Sequence, residues 1–253
     1  MDEQTLFNGL IIGWFLLAGV TFPVLFFVTA PYGRHARRGW GPTLSDRLGW
    51  IIMEAPAALL FLMYFLIGEE RRSLVAWAFL FLWESHYVHR GFIYPLRLRG
   101  PDRRMPASVV AIGLLFNGVN GYLNGRYLFT LYQGYPSEWF GDIRFLIGLA
   151  LFIGGYAINR QSDLTLRGLR QPGESTYKIP YGGFFRWVSC PNYLGEITEW
   201  VGWAVLTWSL PGLAFAVWTM ANLAPRARSH HRWYRENFPE YPAERKALVP
   251  GLW

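Results

Sequence analysis

A chain of 253 residues with 52% hydrophobic and 18% aromatic side chains, but only 16% charged, is too apolar for an ordinary soluble domain, in which about a quarter of residues carry charge. Its net charge of +7 would suit a nucleic-acid partner, but the placement of the basic residues accounts for it without one. The single cysteine, Cys190, excludes an intramolecular disulfide framework.

The N-terminus, Met1-Asp2-Glu3-Gln4, lacks the positive flank of a secretory signal, so the apolar run from Leu6 is read as a retained first helix. A membrane-spanning helix needs about 20 apolar residues, and seven spans are expected: residues 6–29, 48–67, 74–96, 107–132, 143–158, 195–209 and 212–225. The last two are split by the breaker Ser209-Leu-Pro-Gly212, with a single long kinked helix as the alternative. Most of the 24 Lys and Arg fall on alternate loops. Arg34, Arg37, Arg38 and Arg47 lie in the first; Arg97, Arg99, Arg103 and Arg104 in the third; Arg160, Arg167, Arg170, Lys178 and Arg186 in the fifth; Arg226, Arg228, Arg232, Arg235, Arg245 and Lys246 in the tail. The second loop sets Glu69 and Glu70 before Arg71 and Arg72, and the fourth, 133–142, has no Lys or Arg. By the positive-inside rule the N-terminus is outside or lumenal and the tail cytoplasmic. The expected fold class is thus all-α, a polytopic membrane protein of seven transmembrane helices forming one domain, 1–253. The stretch 159–193 carries the turn signals Gln171-Pro-Gly173 and Pro180-Tyr-Gly-Gly183. It far exceeds the usual connection of about 4–6 residues, which marks it as functional.

Glu54 stands inside the second span. A carboxylate in hydrocarbon costs roughly 2.5–3.5 kcal/mol on insertion scales, so such a group is a functional candidate by default. At 1.5 Å per residue it lies about 9 Å from the cytoplasmic end, and Tyr87 of the third span about 13 Å from its own. Glu84, His86, His89 and Arg90 share Tyr87's span; Asn117, Asn120, Asn124 and Arg126 lie in the fourth; Glu196 and Glu199 open the sixth. Such groups are expected to face a cavity rather than lipid. The asparagines suit helix packing as well as they suit a site, and Glu84, Arg90 and Glu199 read as internal ion pairs. Pro56 beside Glu54 removes a backbone N–H and loosens the helix there.

The five histidines, His35, His86, His89, His230 and His231, fall short of the cluster that membrane di-iron enzymes need, and no metal is expected. No Gly-x-Gly-x-x-Gly follows a strand and no Walker loop is present. A dinucleotide would have to be held by helices and loops. Asp163, Arg167 and Arg170 recur at i, i+4, i+7, and Arg226, His230 and Tyr234 at i, i+4, i+8. Arginines grip phosphates bidentately.

Several ordered motifs carry a family resemblance. They are His86-Tyr-Val-His-Arg90 with Tyr94; Asn159-x-x-Ser-Asp163-x-x-Leu-Arg167-x-Leu-Arg170-x-Pro-Gly173-Glu; Tyr177-x-Ile-Pro-x-Gly-Gly183; Asn192-x-Leu-Gly-Glu196-x-x-Glu-Trp200; Arg226 with His230-His-Arg-x-Tyr234; and Tyr241-Pro-x-x-Arg245-Lys-Ala-Leu-x-Pro250. From about Trp50 to the C-terminus the chain resembles the steroid 5α-reductase family of membrane reductases. The resemblance implies a seven-helix fold with NADPH in a cytoplasm-facing cavity and a hydrophobic Δ4-3-oxo-steroid entering from lipid. It further implies hydride addition to the β-carbon of the enone and a proton to the α-carbon. By the same resemblance Glu54 and Tyr87 are catalytic and, with Met53, bind substrate. Arg90, Asn159, Asp163, Arg170, Tyr177, Asn192, Glu196, Arg226, His230 and Tyr234 are then the cofactor contacts.

The chain departs from the family in two places. Met53 stands where animal members have Gln, which removes a hydrogen-bond donor beside Glu54. Arg99-Gly100 is followed by Pro101-Asp102 rather than by a basic residue. The chemistry fits the residue types: a phenol and a carboxylic acid, kept neutral by removal from water, can both donate to the oxygen on which enolate charge develops. A monomer is expected. The competing readings are reduction of another conjugated or polyprenoid lipid, a membrane methyltransferase using S-adenosylmethionine, and a non-enzymatic lipid-binding or transport protein. Polar groups crowding the cytoplasmic half of the bilayer argue against a through-path.

Overall fold

A computed structural model describes residues 2–29, 31, 33–35, 39–69, 73–98, 104–171, 173–174 and 176–253. Arg37, Arg38, Glu70, Arg71, Arg72, Arg99, Arg103, the departure at Gly100-Pro101-Asp102 and Pro172 of the first turn signal lie outside them. The described chain is helical, with α1 (Glu3–Phe27), α2 (Asp46–Ile67), α3 (Leu74–Val88), a short α4 (Tyr94–Leu96), α5 (Ala107–Arg126), α6 (Ile143–Gly168), α7 (Pro191–Thr207) and α8 (Leu210–Asn237). Every expected span has a helix. By length and composition, three among the described residues are apolar enough to cross a membrane: α1, α2 and α6. Elsewhere α3 is only 15 residues long, α7 only 17, and α5 is diluted by its glycines and three asparagines.

Side-chain caps fix several helix starts. The Asp2 carboxylate accepts from the Thr5 N–H at 2.7 Å, the Ser45 hydroxyl from Leu48 at 3.3 Å, and the Ser209 hydroxyl from Gly212 at 3.1 Å; each satisfies an otherwise orphaned donor. Trp208, in the left-handed region at φ 44°, and capping Ser209 end one helix and start the next. The last two spans are therefore two helices, not one kinked rod. At its far end α6 runs ten residues past the expected stop at Ile158, so the stretch 159–193 opens as helix rather than loop. The hydroxyls of Ser162 and Thr165 bond back to the carbonyls four residues earlier and make this polar turn compatible with a helix.

Two compact units emerge, one from residues 31–146 and the other from both chain ends, 1–30 and 147–253. In the first, strands β1 (Thr43–Ser45) and β2 (Arg104–Pro106) pair antiparallel. They join the first and third loops at one end of α2 and α5. Helix α5 lies along α2 through its glycines: a Cβ at Gly121 would meet Leu60 Cβ at 3.2 Å and Pro56 O at 3.3 Å, and one at Gly125 would meet Tyr64 Cβ at 3.1 Å. Phe61 stacks on Trp83 with ring centroids 4.4 Å apart and meets Phe129 edge-on at 5.0 Å. The Trp83 Nε1–H donates to Ala57 O at 3.0 Å.

In the second unit α1 packs on α8 through Trp14 and Trp218 (5.3 Å), with Trp218 Nε1–H donating to Trp14 O at 2.8 Å. The α6–α7 contact is made by glycines seven apart on each helix, Gly148 and Gly155 against Gly195 and Gly202. A Cβ on any of them would strike the opposite backbone, so only glycine permits this approach. The C-terminal tail returns to the start of α7: Ser189 N–H donates to Lys246 O at 2.8 Å and Lys246 N–H to Trp187 O at 3.0 Å.

Candidate active site

In the 31–146 unit, α2 supplies Glu54 and Met53, α3 Tyr87, and α5 three asparagines. The Asn117 amide joins the two expected catalytic residues. Its Nδ2 donates to Glu54 Oε2 at 3.2 Å and to Met53 O at 2.7 Å, and its Oδ1 accepts from the Tyr87 hydroxyl at 3.5 Å. Asn120 Nδ2 donates to the Tyr87 oxygen at 3.3 Å. Tyr87 is 2% exposed, beside Trp83 at 4.9 Å, whereas Glu54 is half-buried. Past Tyr87 the helix widens into a π-helical turn, His89–Ile93, a feature frequent at functional sites. That turn sets Gly91 against α2, where a Cβ would lie 3.2 Å from Glu54 Cβ. The close approach lets Tyr87, one turn earlier, reach the Glu54 level.

Met53 lies on Gly113 of α5, where a Cβ would run into its side chain; the missing Cβ gives this longer, apolar residue its room. Arg90, expected among the cofactor contacts, belongs to this unit. Its guanidinium lies 4.7 Å from the Trp50 ring centroid and 5.3 Å from that of Tyr94. Glu84, expected in an ion pair, keeps Oε1 buried with no hydrogen-bond partner among the described residues.

The other nine expected cofactor contacts all lie in the second unit. Asn159 Nδ2 on α6 donates to Asn192 O at 3.0 Å and to Glu196 Oε2 at 3.3 Å, and Asn192 Nδ2 donates to Asp163 Oδ1 at 3.5 Å. This cluster sits where Gly155 and Gly195 bring α6 and α7 together. On α8, Arg226 Nη2 donates to the Tyr193 hydroxyl at 3.3 Å, and that hydroxyl lies 3.0 Å from His230 Nε2. Since arginine only donates, the Tyr193 oxygen accepts from Arg226, and the direction of its bond with His230 follows the histidine's tautomer. Tyr193 was not anticipated; it occupies the unspecified position of Asn192-x-Leu-Gly-Glu196. Arg170, just past α6, stacks over Tyr177 at 4.3 Å, and Tyr177 meets Trp233 at 5.1 Å. The third member of the Arg226–His230–Tyr234 series lies elsewhere: Tyr234 is 2% exposed and packed with Ile179 and Tyr241. A spacing of eight residues rotates it out of line with Arg226.

The adjacent histidines part company. His230 meets Tyr193, whereas His231 Nδ1 lies 2.6 Å from the Ser189 hydroxyl, itself 2.7 Å from Tyr241 OH. Burial first, then Arg235 and Lys246, push the His231 pKa below 6.5. Burial pushes the Tyr241 hydroxyl up, against the opposing effects of Ser189 and Arg245. Arg245, 3% exposed, donates through Nη1 to Pro180 O at 2.9 Å and lies over Tyr181 and Tyr241. It thereby pins the Tyr177–Gly183 segment to the tail. Outside the helices, Lys178 and the Gln171 N–H hold the Glu174 carboxyl below its ordinary value. Among the described residues no three His, Cys, Asp or Glu side chains converge as a metal-binding group.

The donor set of the second unit suits a dinucleotide. Arg170 and Arg226, steadied on tyrosine faces, offer guanidinium edges for phosphate. The Asn159, Asn192, Asp163 and Glu196 groups offer the mixed donors and acceptors that ribose hydroxyls and a carboxamide need.

Among the described residues three helices are apolar enough to cross a membrane, and in the 31–146 unit a buried phenol and an acid share one amide; the class is a helical protein of membrane type. The comparisons narrow the class. Residues 103–253 match the family model described as 3-oxo-5-alpha-steroid 4-dehydrogenase. A steroid 5-alpha-reductase of Gossypium hirsutum is 43% identical, covering 100% of this chain and 99% of that protein. A 3-oxo-5-alpha-steroid 4-dehydrogenase 1 of Bos taurus is 41% identical over 93% of each chain, and its Homo sapiens counterpart 41% identical over 87% of this chain and 85% of its own. The chain belongs to the 3-oxo-5-alpha-steroid 4-dehydrogenase family and is an oxidoreductase.

Proposed function

We propose that the protein is a multi-pass membrane reductase of Δ4-3-oxo-steroids. It saturates the Δ4 bond at the expense of NADPH, with hydride to C5 and a proton to C4, and yields the 5α-dihydro-3-oxosteroid. The observation that carries this reading is the hydrogen-bonded link of Glu54, Asn117 and Tyr87, which brings an acid and a phenol to one amide.

In this reading the Tyr87 hydroxyl and the protonated Glu54 carboxyl both donate to the steroid's 3-oxo oxygen. Addition to the enone builds negative charge on that oxygen, and preorganised donors in a dry site stabilise it there, as an oxyanion hole does. Trp83 and Phe61 keep water from the phenol. Met53, with Glu54 and Tyr87, lines the substrate, and its apolar side chain also suits another conjugated or polyprenoid lipid. NADPH, when bound, supplies the hydride. Arg170, Arg226 and His230 would hold its phosphates. Asn159, Asp163, Asn192 and Glu196 would take its hydroxyl and amide groups, and Tyr177 would wall it.

Seven spans, an outside or lumenal N-terminus and a cytoplasmic tail complete the proposal, in a bacterial inner membrane or endoplasmic reticulum. The distribution of Lys and Arg supports it, as does the pairing of the first and third loops through β1 and β2. Purified protein with NADPH and a Δ4-3-oxo-steroid tests the roles: Glu54→Leu and Tyr87→Phe each lower kcat about 10²–10³-fold, as for loss of an oxyanion donor. Full turnover by either variant would remove that residue from the mechanism.

A further inference from the structure

The three asparagines of α5 were equally readable as packing residues, yet they form one directed chain. Asn117, Asn120 and Asn124 are 5%, 1% and 0% exposed, so water cannot supply their partners. The chain's polarity follows from its ends, because both rest on backbone carbonyls, which only accept. Asn124 Nδ2 donates to Asn120 O at 3.2 Å and to Asn120 Oδ1 at 3.0 Å. That fixes Asn120 with Oδ1 toward Asn124 and Nδ2 toward Tyr87, where it donates to the phenol oxygen at 3.3 Å. At the other end Asn117 Nδ2 donates to Met53 O at 2.7 Å, which leaves Oδ1 facing the Tyr87 hydroxyl. The Tyr87 oxygen therefore receives one hydrogen and must direct its own outward.

We infer that Asn120, backed by Asn124, is a positioning residue that makes Tyr87 an obligatory hydrogen-bond donor, while Asn117 parks that hydrogen until the substrate's oxo group takes it. The inference rests on the proposed role of Tyr87. The parking bond, at 3.5 Å, is at the limit of a hydrogen bond, so exchanging it for a ketone oxygen costs little. A donated N–H also polarises the phenol and strengthens its donation. The polarity selects ligand chemistry: the group set against Tyr87 must be an acceptor, which suits an oxo group.

Asn120→Asp provides the test because it reverses the chain when ionised. A carboxylate accepts from both Asn124 and Tyr87 and turns the phenol hydrogen away from substrate; the protonated acid donates again. Wild-type turnover is measured first, and its absence would refute the proposed function rather than the chain. With an active wild type, Asn120→Asp should show kcat depressed about tenfold relative to wild type at high pH, with the ratio to wild type recovering as pH falls. Asn120→Leu should be depressed at every pH. A readout independent of turnover is the infrared stretch of a 3-¹³C=O Δ4-3-oxo-steroid bound without nucleotide. It shifts to lower frequency in wild type, and the shift shrinks in Asn120→Leu. Should Asn120→Leu fail to fold, Asn120→Asp decides. A pH-independent loss in Asn120→Asp, or kcat and carbonyl frequency both at wild-type values in either variant, overturns the inference.

Discussion

Gly155→Ala perturbs the contact on which the second unit's polar cluster depends. The new Cβ would lie 2.5 Å from Gly195 O and closer still to Glu199 N. Both are backbone atoms that cannot rotate away, so α6 and α7 must part by about 1 Å to reach ordinary contact at 3.5–4.0 Å. Asn159 is one turn farther along α6, and its bonds to Asn192 O and Glu196 Oε2 are 3.0 and 3.3 Å long. Lengthened by that amount, neither survives as a hydrogen bond. Overpacking costs roughly 1–3 kcal/mol and two bonds in a membrane protein about 0.6 each. The total is about 2–4 kcal/mol of stability, with NADPH binding weakened as Asn159 and Glu196 separate. The assay is unfolding of the purified protein in detergent, alongside nucleotide titration. Gly154→Ala is the control, since a Cβ there meets nothing within 4 Å; it should be neutral or gain up to ~1 kcal/mol from reduced backbone freedom. If Gly155→Ala matches Gly154→Ala in both measurements, the glycine interlock does not position the cluster.

Tyr193→Phe removes the hydroxyl shared by Arg226 and His230 and should raise KM for NADPH about tenfold, the equivalent of roughly 1.4 kcal/mol, with KM for steroid unchanged; an unchanged nucleotide KM would dismiss Tyr193 from the site. Because the folded chain holds the His231 pKa below 6.5, the unfolded chain binds more protons between that lowered value and 6.5, so stability falls as pH drops through this window. The unfolding midpoint of wild type should drop on acidification by more than that of His231→Gln; parallel pH dependence would contradict the assignment. Arg245→Lys keeps the charge but loses the planar fork that reaches Pro180 O between two tyrosines. It should cost about 1–3 kcal/mol, read by unfolding, and equal stability would show the fork to be dispensable.

The helices were legible because apolar runs report directly on burial in protein or lipid. The single carboxylate in the second run was legible for the converse reason, and Glu54 and Tyr87 do meet on one amide. What joined them was not legible. An asparagine has the same composition whether it packs a helix or carries a hydrogen bond, and only three-dimensional placement showed that Asn117 and Asn120 bracket Tyr87. Tyr234 illustrates a limit of periodicity, since i+8 drifts off a face that i+4 shares. Met53 was conspicuous as a departure from the family, but Gly113, which makes room for it, left no signal of its own. Likewise the α6 extension to Gly168 was hidden by polar residues that return their hydrogen bonds to their own helix.

The most direct measurement is mass spectrometry and stereochemical analysis of the product formed by purified protein from a Δ4-3-oxo-steroid and NADPH. The account predicts a ketone that has gained two hydrogens across C4 and C5, in the 5α configuration. An unreduced steroid, or a product in which the 3-oxo group has become a hydroxyl with the double bond intact, would contradict it.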